Sequence, residues 1–299
     1  MKKTIKILFV CCLALLAFQA CKSTASTAKT AKNQPLENSM LWKITGNGLE
    51  QPSYLYGTIH LTCNYELSDK LKAAFDATDQ VVLEIDMDDP GMQMKAMQRM
   101  MLQDGQTVKS MLSDEEYTKL NDFITENTGM SLDLFNGMKP FGVLSLVLAK
   151  SASCDDAVAY ETEFVKIAKE QKEEVLGLET IESQIAIFDS IPYKDQLDNL
   201  LTMAEEGMDK ARSDLAALDS FHKNEDLEGM YKLASETEEM TAEFSNLLLD
   251  NRNKNWIPEI GKFAKEKATF FGVGALHLPG ENGVINLLRK EGYTLTAVK

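Results

Sequence analysis

The chain has 299 residues, 44% of them hydrophobic and 26% charged, which is the make-up of an ordinary globular protein with enough apolar material for a core. Its formal net charge is −15, so its overall field repels phosphate backbones and excludes nucleic acid as a general partner. Acidity otherwise reads as a solvated surface and specifies no substrate.

Lys2 and Lys3 precede an almost unbroken apolar run from Ile5 to Phe18. That run is shorter than the roughly 20 residues a spanning helix needs, which predicts a signal peptide over residues 1–20. It ends in Phe18-Gln19-Ala20-Cys21, which looks like a bacterial lipobox with Phe18 in place of the usual aliphatic residue and Gln19 in place of a small one. Cleavage before Cys21 would free that cysteine for lipidation; the alternative is an ordinary secretory cut after Ala20 with Cys21 unmodified. A lipid on Cys21 would make a membrane the partner of an exported protein, periplasm-facing or at the cell surface, without a spanning helix. Residues 21–39, rich in Ser, Thr, Ala, Lys and Asn, have no apolar periodicity and read as a flexible tether. Residues 40–299 then form one domain, in which no later segment is long and apolar enough to span a bilayer.

That domain opens with strand-like runs at Leu41–Ile44 and Ser53–Ile59, joined as a hairpin across Gly46, Asn47 and Gly48. Helical spacing over Leu67–Thr78 is followed by a buried-strand pattern at Val81–Ile85. Ser113 with Glu116 three residues on predicts a capped helix start. Helices are expected over Met138–Lys150 and Ala157–Gln171, and a short strand over Glu174–Leu178. From Ile181 to about Lys265 the pattern is helical, with breaks at Pro192, near Asn224 and near Asn251. Strand character returns at Ala268–Gly274, then a helix at Gly283–Lys290 and a strand at Tyr293–Val298. The expected fold is therefore α/β (α+β): a central mixed sheet built from N- and C-terminal strands, with a large helical insertion between them.

Of the five cysteines, Cys11 and Cys12 leave with the signal and Cys21 is assigned to lipid. Cys63 and Cys154 remain, to be read as a disulfide in an oxidising compartment or as two buried free thiols.

The chain has only three histidines, and two of them share a context. Tyr56-Gly57-Thr58-Ile59-His60-Leu61 and Val273-Gly274-Ala275-Leu276-His277-Leu278 each read as strand, Gly-x-x-His, Leu. Each imidazole comes where a strand stops and can face a cleft at the sheet's end, with a glycine that permits close approach. His222, in a polar run, has no such context and is expected to be solvated.

Together with Val82–Asp86, Lys139-Pro140, Leu178-Glu179-Thr180 with Gln184, Asn251-Arg252-Asn253-x-x-Trp256 and Leu278-Pro279-Gly280, these motifs resemble the TraB/GumN family, which includes the Tiki proteins. The resemblance runs from about Trp42 to Val298. It implies a compact α/β fold and, for Tiki-like members, a metal-dependent peptidase activity using Mn or Co; Zn would suit the same donors. On that basis His60, His277 and Glu84 are candidate metal ligands, and Glu161, Arg252 and Glu84 candidate catalytic residues. Glu161 follows Ala159-Tyr160 here, where many relatives have a Gly-Val pair before the acidic residue. Glu179 matches too, although it would equally cap the helix after it, and Glu84 has the alternative of being a structural partner of Arg252.

Such a set could bind a divalent ion, lower the pKa of its water and polarise a carbonyl. Glu161 would then be general base, and Arg252 would hold a substrate carboxylate or oxyanion. No His-Glu-x-x-His helix is present, so the ligands would have to converge from distant segments. Two rivals remain open: a binding protein that sequesters a peptide or other small molecule in the same cleft, and a hydrolase in which histidine activates water without metal. The methionines at 87, 92, 94, 97, 100 and 101 read as an adaptable apolar helix face rather than a metal cluster. Glu236-Thr237-Glu238-Glu239 reads as a solvated helix start.

Overall fold

The computed structural model describes residues 36–150, 152, 154, 156–236 and 241–299. The signal segment, Cys21 and nearly all of the tether lie outside the described residues. No described helix is long and apolar enough to cross a membrane.

The strands are β1 (Leu41–Gly46), β2 (Ser53–Thr58), β3 (Gln80–Ile85), β4 (Glu174–Glu179), β5 (Thr269–Gly274) and β6 (Tyr293–Ala297). They form a mixed sheet in the order β4-β3-β5-β2-β1-β6. β2, β5, β3 and β4 are parallel, while β1 runs against both β2 and β6. The fold is thus the expected mixed α/β, with one refinement: β4, from the middle of the chain, forms the sheet edge next to β3. The β1–β2 hairpin turns where Gly46, Asn47 and Gly48 all take positive φ, which explains the glycines there. β3 and β5 are covered on both faces and accordingly read as continuous apolar runs, with Val81, Val82, Leu83, Phe270, Phe271 and Val273 wholly buried.

Between β2 and β3 lies α1 (Asp69–Phe75). Between β3 and β4 come α2 (Met92–Met100), α3 (Asp114–Thr128), α4 (Pro140–Leu148) and α5 (Tyr160–Gln171). β4 leads into α6 (Ile181–Asp189), α7 (Tyr193–Glu206), α8 (Asp209–Lys223), α9 (Leu227–Ser235), α10 (Ala242–Ser245) and α11 (Asn251–Glu266); α12 (Val284–Lys290) joins β5 to β6. The capping box at Ser113 and Glu116 starts α3 as the sequence predicts. α5 presses Tyr160 and Phe164 onto Tyr56 of β2, Phe270 of β5 and Phe75 at the end of α1. α3, α4 and α7 bury a separate apolar cluster around Leu120, Val143, Val147 and Leu200.

Four local expectations are corrected. Helix α7 stops at Gly207, whose positive φ ends it, a break the apolar pattern did not reveal. Near Asn251 the helix does not break: residues Asn246–Asp250 form a π turn that runs straight into α11. His222 is not solvated but buried, its Nε2 donating to the Gly57 carbonyl at 2.8 Å. Glu236 closes α9 instead of opening a helix, and residues 237–240 lie outside the described residues. The methionine helix α2 buries none of its residues; Met94 and Met97 stand exposed.

Cys63 and Cys154 are joined, closing a separation of 91 residues. Next to the bond, Thr62 and Val158 exchange backbone hydrogen bonds at 2.9 Å. The segment that follows His60 is thereby fastened to the segment that leads into Glu161. Opening the loop, by reduction or by Cys154→Ser, is expected to destabilise the fold by about 2–4 kcal/mol, since the disulfide restricts mainly the unfolded chain. Thermal melts with and without reductant check this; coincident melts would remove the disulfide from any stabilising role.

Candidate active site

The parallel strands all end on one side of the sheet, where open α/β sheets bind their ligands. β2 and β5 are neighbours, with Thr58 opposite Gly274, so the two Gly-x-x-His motifs leave the sheet side by side. β3 contributes Glu84 and β4 contributes Glu179, in adjacent register. The start of α11 brings Arg252 and Asn253 over the same edge, and the start of α5 brings Glu161. Thus the structure collects His60, Glu84, Glu161, Arg252 and His277 from five distant segments. A Cβ placed on Gly274 would lie 3.2 Å from Glu84 Oε1, 3.5 Å from His277 Cδ2 and 3.7 Å from His60 Nε2, so the glycine leaves these three groups room to meet.

The lower part of the site is a closed network. Arg252 donates through Nε to Glu179 Oε1 (2.8 Å), through Nη1 to the Leu248 carbonyl and His277 Nε2 (both 3.0 Å), and through Nη2 to Glu84 Oε2 and Glu179 Oε1 (both 2.5 Å). A guanidinium has five N–H groups, and these contacts use them all. Glu84 accepts in addition from the Gly274 amide (2.8 Å) and from Gln184 (2.9 Å). Burial alone would raise the Glu84 pKa; His277, Arg252 and His60, with the Gly274 amide, bring it down to about 2. Glu179 moves the other way, its burial outweighing the pull of the arginine.

The tautomer of His277 follows from its partners. Asn253 turns its amide nitrogen to the Asn282 and His277 carbonyls, which leaves Oδ1 facing His277 Nδ1 at 2.6 Å. His277 Nδ1 therefore carries the proton, and Nε2 accepts from Arg252, because arginine has nothing to accept with. Burial holds the His277 pKa down at about 3, so the ring is neutral, and Arg252 is the permanent cation that keeps Glu84 ionised. The Trp256 ring packs against His277 at 4.5 Å and under the guanidinium at 4.7 Å.

His60 sits differently. Its side chain is 70% exposed, while its Nδ1 lies 2.8 Å from Oε1 of the buried Glu161. The same oxygen accepts from Thr58 at 2.5 Å, and the second, Oε2, is buried without a partner. Desolvation would lower the His60 pKa, but the Glu161 carboxylate, by charge and by hydrogen bond, raises it to about 9. Glu161 is depressed in return: its own burial acts upward and is overcome by His60 and Thr58. With Nδ1 held, His60 Nε2 is the ring atom turned to Gly274.

These contacts decide which chemistry the residues can perform. A divalent ion would need several open lone pairs, and here His60 Nε2 in its neutral form and the unpartnered Glu161 Oε2 offer them. Glu84 is occupied by N–H donors, and His277 Nε2 accepts from a cation that would repel a second one. Two of the three candidate metal ligands, Glu84 and His277, are thus engaged by Arg252 in this arrangement. Among the described residues no group of three or more His, Cys, Asp or Glu side chains is placed to hold one. Arg252 has all five donors engaged by its neighbours, and Glu84 is one of the two carboxylates it holds. Glu179 does not cap α6; Thr180 does, and Glu179 instead faces Arg252. Thr58, Gln184 and Asn253 were not singled out from the sequence as site residues, although each lies within or beside a motif that was. His222, through Gly57, and Asp219, which accepts from Thr62 and Asn64, pin the turn that carries His60.

Fold and site together define a mixed α/β protein with a solvent-facing histidine–carboxylate pair above a buried arginine–carboxylate network. The chain belongs to the TraB/PrgY/gumN family, whose model matches residues 40–297. Comparison with curated proteins and with solved structures gives no match.

Proposed function

We propose that this protein is an exported, membrane-tethered hydrolase of acyl substrates, peptide or ester, in which His60 activates water without a metal. The observation that supports it is the His60–Glu161 pair. One ring nitrogen is bound to a buried carboxylate, and the other is turned to Gly274, where the parallel strands β2 and β5 end. In the reaction His60 Nε2 takes a proton from water as the oxygen attacks the acyl carbon. Glu161 stabilises the imidazolium, which then returns the proton to the departing amine or alcohol. Arg252, Glu84 and His277 hold the floor beneath. Export and tethering rest on the apolar run before Cys21 and agree with the Cys63–Cys154 bond.

The test is a pH–rate profile of the full chain on a panel of peptides and activated esters, with and without chelator. As His60 works in its neutral form, kcat/KM is expected to rise with pH, through an inflection above the ordinary histidine value of 6.5 and towards about 9. Glu161→Gln removes the charge that raises this pKa and is expected to lower the inflection by about one unit or more. Chelator is expected to leave the rate unchanged. Activity lost to chelator and restored by Mn, Co or Zn would replace this reading with the metal-dependent one. No hydrolysis, together with ligand binding that depends on His60, would make the protein a binding protein.

A further inference from the structure

A cavity of about 600 Å³ runs along the outer flank of α11, against α12 and the start of β6. Its volume falls within the roughly 300–1,000 Å³ of small-molecule sites. Arg252, Asn253, Trp256 and Ile260 are the buried side of α11, whereas the cavity uses the opposite side, so it is separate from the histidine site. Lys254, Lys262, Lys265 and Lys290 surround it, against a single carboxylate, Glu291. On a chain of net charge −15 this is a local reversal of sign. Lys254, Lys262 and Lys265 form no ion pair among the described residues, and Lys290 reaches only the Glu281 carbonyl, at 3.1 Å.

The floor is apolar: Ile257, Pro258, Leu287 and the Tyr293 ring. Two residues that disfavour a helix interior, Pro258 and Gly261, both lie on this face of α11. Pro258 has no amide to give the Lys254 carbonyl. Gly261 leaves the Tyr293 hydroxyl open, since a Cβ there would stand 2.9 Å from it. Helix propensity is thus given up where the cavity needs width.

We propose that this cavity binds a small amphipathic phosphate, its anionic head among the four lysines and its apolar part on the Ile257–Leu287 floor. The global charge, which repels nucleic acid, does not oppose this: at ordinary ionic strength charges beyond about 10 Å are screened, and the lysines act within that range.

Calorimetric titration of the full chain tests it with three probes: dihexanoyl phosphatidylglycerol below its micelle concentration, the zwitterionic dihexanoyl phosphatidylcholine, and inorganic pyrophosphate. Phosphatidylglycerol is expected to bind at least about ten-fold more tightly than either of the others, and added salt to weaken it. Lys262→Glu with Lys265→Glu is expected to weaken it about ten-fold or more, while Lys166→Glu with Lys194→Glu, the same charge change elsewhere, leaves it intact. Hydrolytic rate should be unchanged in both pairs, and melting temperature unchanged in the Lys262, Lys265 pair. Pyrophosphate binding as tightly as phosphatidylglycerol would overturn the amphipathic ligand in favour of a free phosphate. Equal weakening by both pairs, or no binding of any probe, would overturn the site.

Discussion

Replacement of His60 by alanine is expected to lower kcat/KM by about 10²- to 10⁴-fold, the usual contribution of a positioned general base. Its melting temperature should hardly move. The two expectations separate because the imidazole is 70% exposed, so little packing is lost with it. What is lost is the ring nitrogen that, in the neutral imidazole, is free to take a proton. Glu161, left behind, is buried and accepts only from Thr58 on one oxygen, so its carboxyl is expected to take up a proton more readily in the variant. His277→Ala gives the contrasting signature. It removes a buried acceptor of Arg252 and a partner of Asn253, so stability should fall alongside any loss of rate. A His60→Ala protein of unchanged rate on every substrate that the parent cleaves would remove His60 from the mechanism.

Arg252→Ala carries the largest expected loss of stability. Breaking a buried ion pair by removing one partner costs about 3–5 kcal/mol, because the other charge is left without compensation. Here two carboxylates are left, Glu84 and Glu179, both facing the space the guanidinium held. The defect should depend on pH in a set direction. In the parent, Glu84 has a pKa depressed to about 2, so its contribution is complete above the unfolded value of 4.5 and is lost as pH falls towards 2. Without the arginine Glu84 loses its permanent counter-charge, and that pKa is expected to rise. The ionised carboxylate then destabilises the variant at neutral pH, and protonation relieves it. Denaturant melts at pH 8 and pH 5 check this: the gap between parent and Arg252→Ala should narrow at pH 5. A gap that stays constant would mean that packing on Trp256, rather than charge, is what Arg252 supplies. Arg252→Lys keeps the charge with three donors in place of five and should fall between the two.

Much of the sheet could be read from the chain. β3 and β5 are short apolar runs between turn residues, β1 and β2 are divided by a glycine-rich turn, and each pattern follows from burial on one or both faces. The helices were legible as spans, but their ends were less so. Gly207 stops α7 through a left-handed backbone that leaves no apolar signature, and the π turn before Asn251 keeps the axis running where composition suggests an interruption. His222 misled because its neighbours Asp219, Ser220 and Lys223 are polar. Burial depends on which face of α8 meets β2, and there Gly57 offers it a carbonyl.

The candidate site divides in the same way. The sequence alone determined that His60 and His277 occur in matching strand-end motifs, because a rare residue in a repeated local context is visible without coordinates. It also singled out Glu84, Glu161 and Arg252, through motifs that resemble the family. Only the tertiary structure decided that the two histidines are unequal. His60 is exposed on a buried carboxylate, while His277 is neutral and accepts from an arginine whose donors are all in use. Identical motifs cannot carry that difference. It arises from which segments the fold packs against each one, α5 with Glu161 against the first and α11 with Arg252 and Asn253 against the second, and protonation and free valence are set by those neighbours.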